Sequence, residues 1–396
     1  MELIRFSSGA EQIPSAPTFL ALASNPDIAS FAGGVPDPQL FPVEQLRKAS
    51  ESIFSTLDTS TQALQYAPSQ GFLPLRQWIS DDLLDRRILC PSENILITNG
   101  AQQALDLISK LLIDANDKIA VTSPTFFAAL DTFSVYGPEV LEVPFMRGTL
   151  DMSIAEDVLR QRPKFFYIVP DFQNPTGLSI TTKQRLELAE LCEKYDVPIL
   201  EDAAYDRLSF DGAIGKPFAA KNGTLDSENV IYINTFSKTI SPGLRVGWIA
   251  GSSRIVSKLK ALKLSSDVHT SVLNQMLVYG IVQNDFQNNI HKAREIYSKR
   301  CTILLEALED QMLKGSWWSR PTGGLFLWLE LPRSVDTTKL LPEALEVSKF
   351  AFVPGNLSCP GAGCENACRL SFASIPHDKI HPAISRFAHL VKAKNC

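Results

Sequence analysis

Short apolar segments alternate with amphipathic ones through the middle of the chain, and this pattern limits the fold more than any other feature. Strand patterns lie at residues 95–98, 118–122, 164–169, 197–200, 230–234 and 246–250, and helical patterns at 42–57, 126–136 and 183–195. Strands that alternate with helices form right-handed crossovers and a largely parallel sheet. Because the strands lack polar alternation, we expect helices on both faces of that sheet.

The regions on either side of this alternation have different patterns. Residues 1–45 are irregular and rich in Pro, Gly and Ser, as in arms that lie across another domain or subunit. Helical patterns at 268–283 and 287–313 precede strand patterns near 325–330, 350–353 and 368–372 and a final helix after Pro376. We predict an α/β fold with a mostly parallel central sheet flanked by helices, plus a smaller α+β domain. The predicted division is 1–45 (arm and part of the small domain), 46–285 (large domain) and 286–396 (small domain).

Charge and hydropathy narrow the function classes. A formal net charge of −5 argues against a nucleic-acid-binding surface. No uncharged apolar run reaches the ~18 residues of a membrane span, and the first residues lack the apolar segment of a signal peptide. We therefore expect a cytoplasmic protein with neither nucleic acid nor membrane as a partner.

The seven cysteines have irregular spacing, which argues against a disulfide framework and favours a reducing compartment. Cys359, Cys364 and Cys368 form the tightest group, with the spacing C-x4-C-x3-C. Structural zinc sites show more closely paired ligands. We expect small buried or loop cysteines here, and no metal.

Hydroxyl and basic side chains follow the strand predicted at 230–234. Thr235, Ser237 and Lys238 come directly after it, and Arg245 follows in the same loop. Most lysines are solvated, so a lone lysine here would be read as an exposed loop residue. Hydroxyls with an arginine form a phosphate-binding set, because a guanidinium binds phosphate oxygens in a forked geometry. The group therefore predicts an anion site at the carboxyl edge of the sheet.

Polar side chains also follow two earlier strands. Asp202 comes directly after the strand predicted at 197–200, and Tyr205 lies three residues later. The Asp202 carboxylate would either cap a helix or pair with a cation. Asn174 follows the strand at 164–169 in an Asn-Pro pair, a common turn former, and its amide could instead donate to a ligand.

A fourth strand end has the pattern of an anion site. Residues 99–102 (NGAQ) lie between the strand at 95–98 and an apolar helix. A glycine at such a turn exposes backbone N–H groups at a helix N-terminus, where anions bind. This signal is weak alone, but together with the hydroxyls near Lys238 and with Arg245 it predicts a phosphate cup.

Taken in order along nearly the whole chain, these motifs resemble the fold-type-I (class I/II) aminotransferases that depend on pyridoxal 5'-phosphate (PLP). Asn-Pro-x-Gly, Asp-x-x-Tyr and Ser-Lys…Arg each follow their own strand, the context that such motifs require. Residues 30–38 (SFAGGVPDP) and 65–71 (QYAPSQG) resemble the branch of aminoadipate, kynurenine and broad-range aminotransferases. The resemblance implies the fold-type-I architecture of PLP-dependent transferases and PLP as the cofactor.

The resemblance also implies roles for matching positions around the cofactor ring. Lys238 would form the Schiff base and move the proton at the substrate Cα. Asp202 would pair with the ring nitrogen. Asn174 and Tyr205 would contact the ring phenolate, and Phe126 would stack on the ring.

Positions around the phosphate and the substrate follow from the same resemblance. The predicted phosphate contacts are Gly100, Ala101, Gln102, Thr235, Ser237 and Arg245. Tyr66 would reach the phosphate of the neighbouring subunit, which implies a homodimer with shared active sites. Arg369, in the segment CRLSF, would bind the substrate α-carboxylate, and Gly34 and Asn174 would lie near the substrate.

Three positions depart from the pattern of this branch. Phe126 stands where a tyrosine usually stacks on the ring, so stacking is kept and a hydroxyl is lost. Residues 15–19 (SAPTF) lack the arginine that meets an acidic side chain, so we expect weak use of aminoadipate. Ser358 stands where the family often has an aromatic ring, which would open space and add polarity near the substrate.

The predicted function is transfer of an α-amino group between an amino acid with a neutral, polar or basic side chain and a 2-oxo acid. The departures leave an alternative open: PLP-dependent elimination or replacement, cyclisation, decarboxylation or oxidation of an amino acid in specialised metabolism. A transcription regulator with an aminotransferase-like domain would carry an added DNA-binding domain, and no basic helix-turn-helix segment precedes residue 30.

Overall fold

Fourteen strands and thirteen α-helices lie within residues 4–12, 25–213 and 216–394, the part of the chain that the computed structural model describes. The strands are β1 (Ala29–Ser30), β2 (Ile95–Thr98), β3 (Lys118–Ser123), β4 (Glu139–Met146), β5 (Thr149–Leu150), β6 (Phe166–Ile168), β7 (Ile199–Asp202), β8 (Val230–Thr235), β9 (Gly247–Ala250), β10 (Trp317–Trp318), β11 (Phe326–Glu330), β12 (Phe350–Ala351), β13 (Val353–Pro354) and β14 (Ala367–Ser371).

The helices occupy most of the chain between these strands. They are α1 (Ser8–Gln12), α2 (Val43–Ile53), α3 (Leu57–Leu64), α4 (Leu73–Asp85), α5 (Gly100–Leu112), α6 (Phe127–Ser134), α7 (Met152–Leu159), α8 (Thr182–Lys194), α9 (Ser253–Ser266), α10 (Val272–Asn284), α11 (Phe286–Gln311), α12 (Thr337–Glu346) and α13 (His377–Lys394).

The largest sheet has eight strands in the order β2-β9-β8-β7-β6-β3-β4-β5. The neighbours from β8 through β4 run parallel. Strand β9 runs antiparallel to both β8 and β2, and β5 antiparallel to β4. The predicted mostly parallel sheet is confirmed, and the carboxyl ends of β6, β7 and β8 meet at one edge.

Both faces of this sheet are covered, as its strand composition predicted. Along β2, Leu96 packs into one apolar cluster while Ile95 and Ile97 pack into another. Tyr167 of β6 likewise faces away from its neighbours Phe166 and Ile168. Successive strand residues point to opposite faces, so an unbroken apolar run is what a doubly covered sheet requires.

A second, antiparallel sheet has the order β10-β11-β14-β13. The N-terminal segment reaches this part of the molecule, because β1 pairs in parallel with β12. Helix α11 packs against α13 beside these strands. Arg369 lies in the middle of β14 and is paired with Trp328 of β11.

Local capping explains two boundaries that differ from the predicted pattern. The pattern at 42–57 forms two helices, because α2 ends at Ile53 and the Thr56 side chain accepts a hydrogen bond from the Thr59 backbone to start α3. Helix α8 begins at a capping box between Thr181 and Gln184, which supplies partners for N–H groups that a helix start leaves unpaired.

The cysteine prediction is wrong for one pair. Cys359 and Cys364 form a disulfide, whereas Cys90, Cys192, Cys301 and Cys368 are free and buried. The pairing depends on the path of the loop between Ser358 and β14, which spacing alone does not define.

None of the described helices is long and apolar enough to cross a membrane. The described residues contain no group of three or more His, Cys, Asp or Glu side chains that could hold a metal ion.

Candidate active site

A cavity of about 420 Å³ lies at the carboxyl edge of the large sheet, where strand ends and the β14 sheet meet. Strands β7 and β8 end at Asp202 and Thr235, and Asn174 lies in the loop after β6. The residues that line the cavity are Ala32, Gly33, Gly34, Ala101, Gln102, Phe126, Phe127, Ala128, Val169, Asn174, Asp202, Ala204, Tyr205, Thr235, Ser237, Lys238, Pro242, Arg245, Phe326 and Arg369.

The Lys238 amine occupies the cavity without a carboxylate partner among the described residues. Its Nζ atom donates a hydrogen bond to the Gly34 carbonyl oxygen at 2.8 Å. Burial above all, together with the charges of Arg369 and Arg245, lowers the pKa of Lys238 to about 8, against the opposing charge of Asp202. A buried amine with a lowered pKa is partly neutral near physiological pH, as a nucleophilic lysine requires.

Asp202 is a buried carboxyl group whose hydrogen-bond partners are uncharged. The Tyr167 hydroxyl donates to its Oδ2 at 3.0 Å, and the Ala204 backbone N–H donates to its Oδ1 at 3.3 Å. Burial raises the pKa of Asp202 to about 6, although both hydrogen bonds and Lys238 act to lower it. The group is therefore mostly ionised at pH 7 and can hold a proton on a ligand cation.

Arg369 reaches the cavity from the second sheet. Its guanidinium lies 4.5 Å from the centre of the Phe326 ring and 5.6 Å from that of Phe127. It donates to Asn174 Oδ1 at 2.9 Å and to the Ala32 carbonyl, while its buried Nε has no hydrogen-bond partner among the described residues. Burial lowers the pKa of Arg369 to about 10. The group thus carries a charge that no protein carboxylate neutralises in the described part of the chain.

The start of α5 and Arg245 form another part of the cavity wall. Arg245 adopts a left-handed backbone conformation (φ 53°) and donates from Nη2 to the Asn99 carbonyl at 3.1 Å. Gly100 has φ +77°, and a Cβ built there would lie 2.6 Å from the Arg245 guanidinium. Only a glycine lets the arginine lie against the free N–H groups of the helix start, which favour an anion.

Twelve of the predicted site residues lie together in the cavity wall: Gly34, Ala101, Gln102, Phe126, Asn174, Asp202, Tyr205, Thr235, Ser237, Lys238, Arg245 and Arg369. Gly100 lies directly behind them against Arg245. Tyr66 lies outside the cavity, with 81% of its surface exposed, and its ring meets His269 edge-on. Its predicted contact is to a neighbouring subunit, and that stays a prediction.

The structure shows the position of two of the three residues or segments that depart from the family pattern. Phe126 lines the cavity as expected. Ser358 is buried but does not line the cavity; its carbonyl accepts a hydrogen bond from the Thr125 backbone at 2.8 Å. The expected opening of space beside the substrate is therefore not seen at Ser358. The arm segment 15–19 lies outside the described residues.

Three aromatic side chains of the site were not found from the sequence. Tyr167 was counted only as an apolar strand residue, and its bond to Asp202 depends on β6 lying beside β7. Phe127 and Phe326 flank Arg369 from different sheets. The one local signal was the position of Phe127 next to Phe126 in the loop after β3.

Residues 30–387 match the sequence model of the family described as aminotransferase class I and II. The aromatic-amino-acid aminotransferase 1 of Thermococcus litoralis is 36% identical over 381 residues, which is 94% of this chain and 90% of that protein. The chain belongs to the class I and II aminotransferase family.

Solved structures of similar proteins agree in fold and carry cofactor derivatives. The α-aminoadipate aminotransferase of Thermus thermophilus, complexed with N-(5'-phosphopyridoxyl)-L-leucine, has a TM-score of 0.91 at 34% identity, covering 98% of both chains. The kynurenine aminotransferase of Pyrococcus horikoshii, in complex with PMP, has a TM-score of 0.91 at 35% identity, covering 98% of this chain and 97% of that one.

The protein is thus a PLP-dependent aminotransferase that acts on amino acids and 2-oxo acids, and the predicted fold type I is confirmed. These relatives are named for transamination, so the alternative PLP reactions are not favoured. The charges of the cavity fit the cofactor. The charged residues among the described lining are three cations, Lys238, Arg245 and Arg369, and one carboxylate, Asp202. This excess of positive charge suits a phosphate and a carboxylate.

Proposed function

We propose that Lys238 binds the PLP aldehyde covalently and then carries the proton at the substrate Cα. The observation that supports this most directly is the Lys238 Nζ in the cavity, whose one hydrogen-bond partner among the described residues is the Gly34 carbonyl. When bound, PLP supplies an aldehyde for the amino group and an electron-withdrawing ring. The side chain of Lys238 supplies an amine that is neutral often enough to react at neutral pH.

Four side chains would hold the ring. Asp202, ionised above its pKa of about 6, would keep a proton on the ring nitrogen, and the Tyr167 hydroxyl fixes its orientation. Tyr205 and Asn174 would contact the phenolate oxygen. Burial raises the pKa of Tyr205, so its hydroxyl stays protonated and can donate. Phe126 would stack on one ring face.

The phosphate would bind between the start of α5 and the loop after β8. Thr235 donates to Ser237 Oγ at 2.9 Å, so the two hydroxyls lie side by side in the cavity wall with Arg245. Gly100, Ala101 and Gln102 begin α5, where backbone N–H groups have no partner within the helix. Hydroxyls, backbone N–H groups and one guanidinium together suit a phosphate dianion.

Arg369 would bind the substrate α-carboxylate, with Asn174 and Gly34 beside it. If Arg245 binds phosphate and Lys238 binds the aldehyde, Arg369 is the last cation among the described lining residues. A side-chain carboxylate would then lack a partner, and residues 13–24, which the structure does not describe, contain no Lys or Arg. We therefore propose substrates with neutral, polar or basic side chains and weak turnover of 2-aminoadipate; the apolar wall at Phe127 and Ala128 favours the neutral ones.

We also propose a cytoplasmic homodimer with shared active sites. The exposed Tyr66 is available to a second subunit. Four described cysteines are free and buried, which accords with a reducing compartment, although the Cys359–Cys364 disulfide argues the other way. For the domains we propose the limits 46–285 and 286–396, with 1–45 as the arm, because the eight-stranded sheet lies within 95–250 and the four-stranded sheet within 317–371.

Single-turnover mixing tests the proposed reaction and substrate class together. Purified holoenzyme is mixed with leucine, phenylalanine, glutamine, lysine, arginine or 2-aminoadipate and no 2-oxo acid, while the absorbance of the bound cofactor is followed. Transamination predicts one equivalent of 2-oxo acid and a stop, with the slowest reaction for 2-aminoadipate. Continued turnover without an acceptor would support the alternative reactions, and fast reaction with 2-aminoadipate would refute the substrate proposal.

A further inference from the structure

Lys263, near the end of α9, is a fully buried lysine outside the cavity. Unlike Lys238 it has a carboxylate partner: its Nζ lies 2.9 Å from Asp267 Oδ1 and 2.8 Å from Oδ2. Burial lowers the pKa of Lys263, and Asp267 acts against that shift. A buried ion pair is costly to desolvate and is weak support for a purely stabilising role.

The Asp267 carboxylate also accepts hydrogen bonds from two side-chain amides at the start of α5. Asn99 donates from Nδ2 to Asp267 Oδ2 at 2.6 Å, and Gln103 donates from Nε2 to that oxygen at 2.7 Å. Lys263 also donates to Gln103 Oε1 at 2.8 Å. Asp267 and Lys263 therefore fix both ends of the Gln103 amide and set which way it faces.

The oriented Gln103 amide in turn holds the backbone of Asn99. The Asn99 N–H donates to Gln103 Oε1 at 2.8 Å, and the Asn99 carbonyl accepts from Arg245 at 3.1 Å. Asn99 is thus fixed through its side chain, its N–H and its carbonyl. It is the residue directly before Gly100, where the free N–H groups of α5 begin.

We propose that Lys263 and Asp267 are positioning residues for the phosphate end of the PLP site. The inference rests on the proposed placement of the phosphate at the start of α5. The ion pair binds the side chains of Asn99 and Gln103 from outside the cavity. These two residues set the direction of the N–H groups at Gly100 and Ala101 and give the Arg245 guanidinium its carbonyl partner. Neither Lys263 nor Asp267 lines the cavity, so both act through the turn.

Cofactor binding, with and without the phosphate, separates this role from a general structural one. The double variant Lys263→Met/Asp267→Leu removes both charges at once, a type of exchange that buried pairs often tolerate, but leaves both amides without their acceptor. Apoenzyme of each variant is titrated with PLP and, separately, with pyridoxal, which lacks the phosphate. The dissociation constants are measured by quenching of protein fluorescence, and unfolding is followed without cofactor.

We expect the dissociation constant for PLP to rise on the order of tenfold in the double variant, the usual loss for a hydrogen bond to a charged group, while that for pyridoxal stays as in the wild type. Lys260→Met is the matched control, because Lys260 is an exposed lysine on the same helix, and it should bind both ligands as the wild type does.

Unchanged PLP binding, or an equal loss for PLP and pyridoxal, would overturn the inference. If the double variant does not fold, Gln103→Met keeps the ion pair, removes the links from Lys263 and Asp267 to the Asn99 backbone, and gives the same two readouts. If the wild type itself does not bind PLP, the proposed function is refuted. If every variant binds PLP as the wild type does, only the positioning role of Lys263 and Asp267 is refuted.

Discussion

Two sets of buried charges lie close together in this protein and differ in whether they are paired. At the cavity, Lys238 and Asp202 are held by neutral groups. Four residues after Asp202, Asp206 lies 2.9 Å from Arg86 and accepts a hydrogen bond from the Tyr232 hydroxyl at 3.0 Å. The charges of the second set are paired within the protein, whereas the first set leaves its charges available to a ligand.

The pKa directions express the same difference. Burial lowers the pKa of Lys238 to about 8, whereas the pKa of Arg86 is raised despite its burial, because Tyr232 and Asp206 surround it. Groups that stay buried without a charged partner cost stability, and such groups gather at functional sites. The comparison predicts opposite consequences for substitutions in the two sets.

The largest effect is expected at Lys238. Lys238→Ala should lower the transamination rate by at least about 1000-fold, since no other amine lines the described cavity. The melting temperature of the apoenzyme should stay the same or rise, because the amine makes one hydrogen bond to the described residues and is costly to desolvate. Steady-state kinetics and thermal unfolding measure the two quantities, with the exposed Lys260→Met as control. Substantial residual activity would remove Lys238 from its proposed role.

A matched pair of substitutions sharpens the comparison. Asp202→Asn should lower kcat on the order of 100-fold with little change in unfolding free energy, because an amide oxygen can still accept from Tyr167. Asp206→Asn should instead cost about 3 kcal/mol of stability, because it leaves the buried Arg86 without its nearest carboxylate. Urea unfolding and kinetics on both variants provide the test. If both variants lose activity and stability to the same extent, Asp202 and Asp206 do not differ in role as the comparison requires.

The pH dependence of cofactor attachment is the next largest effect. The pKa of Lys238 is lowered to about 8, so the neutral fraction of its amine increases as the pH rises towards 8 and exceeds one half above it. The rate of covalent PLP attachment to apoenzyme should therefore rise about tenfold per pH unit below 8 and level off above. Stopped-flow absorbance measures it. A rise that continued to pH 10 would show an unperturbed amine and contradict the proposed environment.

The smallest effect is expected at Phe126. Phe126→Tyr introduces the ring hydroxyl that the sequence resemblance leads us to expect at this position. It should change kcat/KM by about fivefold or less, since one added hydrogen bond contributes about 1 kcal/mol. The absorbance of the bound cofactor should shift, because the new hydroxyl would lie near the phenolate network. Loss of activity beyond that range would show that the cavity is fitted closely to phenylalanine.

Much of the cavity could be predicted because parallel strands bring their carboxyl ends to one edge. Asn174, Asp202 and Lys238 each follow a strand, so their meeting follows from the topology. Arg369 lies on a different sheet, and only the family resemblance pointed to it. No local pattern joins the two sheets, since their contact depends on how α11, α13 and β14 pack.

Other features depend on relations that the sequence does not display. Strand β9 was predicted from its apolar residues, but its antiparallel direction was not, because residue types do not encode strand direction. The bond from Tyr167 to Asp202 needs β6 beside β7, and the disulfide of Cys359 and Cys364 needs the path of one loop. The sequence does not distinguish Lys263 from an exposed helical lysine, and its burial is visible only in the structure.

The contrast between Lys238, which lines the cavity, and Lys263, which is buried outside it, allows the most direct test. Holoenzyme is reduced with borohydride, which makes the bond between lysine and PLP permanent, then digested and analysed by mass spectrometry. The account predicts the modification at Lys238 and none at Lys263, because Lys263 is paired with Asp267 and lies outside the cavity. Modification at Lys263 or at any other lysine, with Lys238 unmodified, would contradict it.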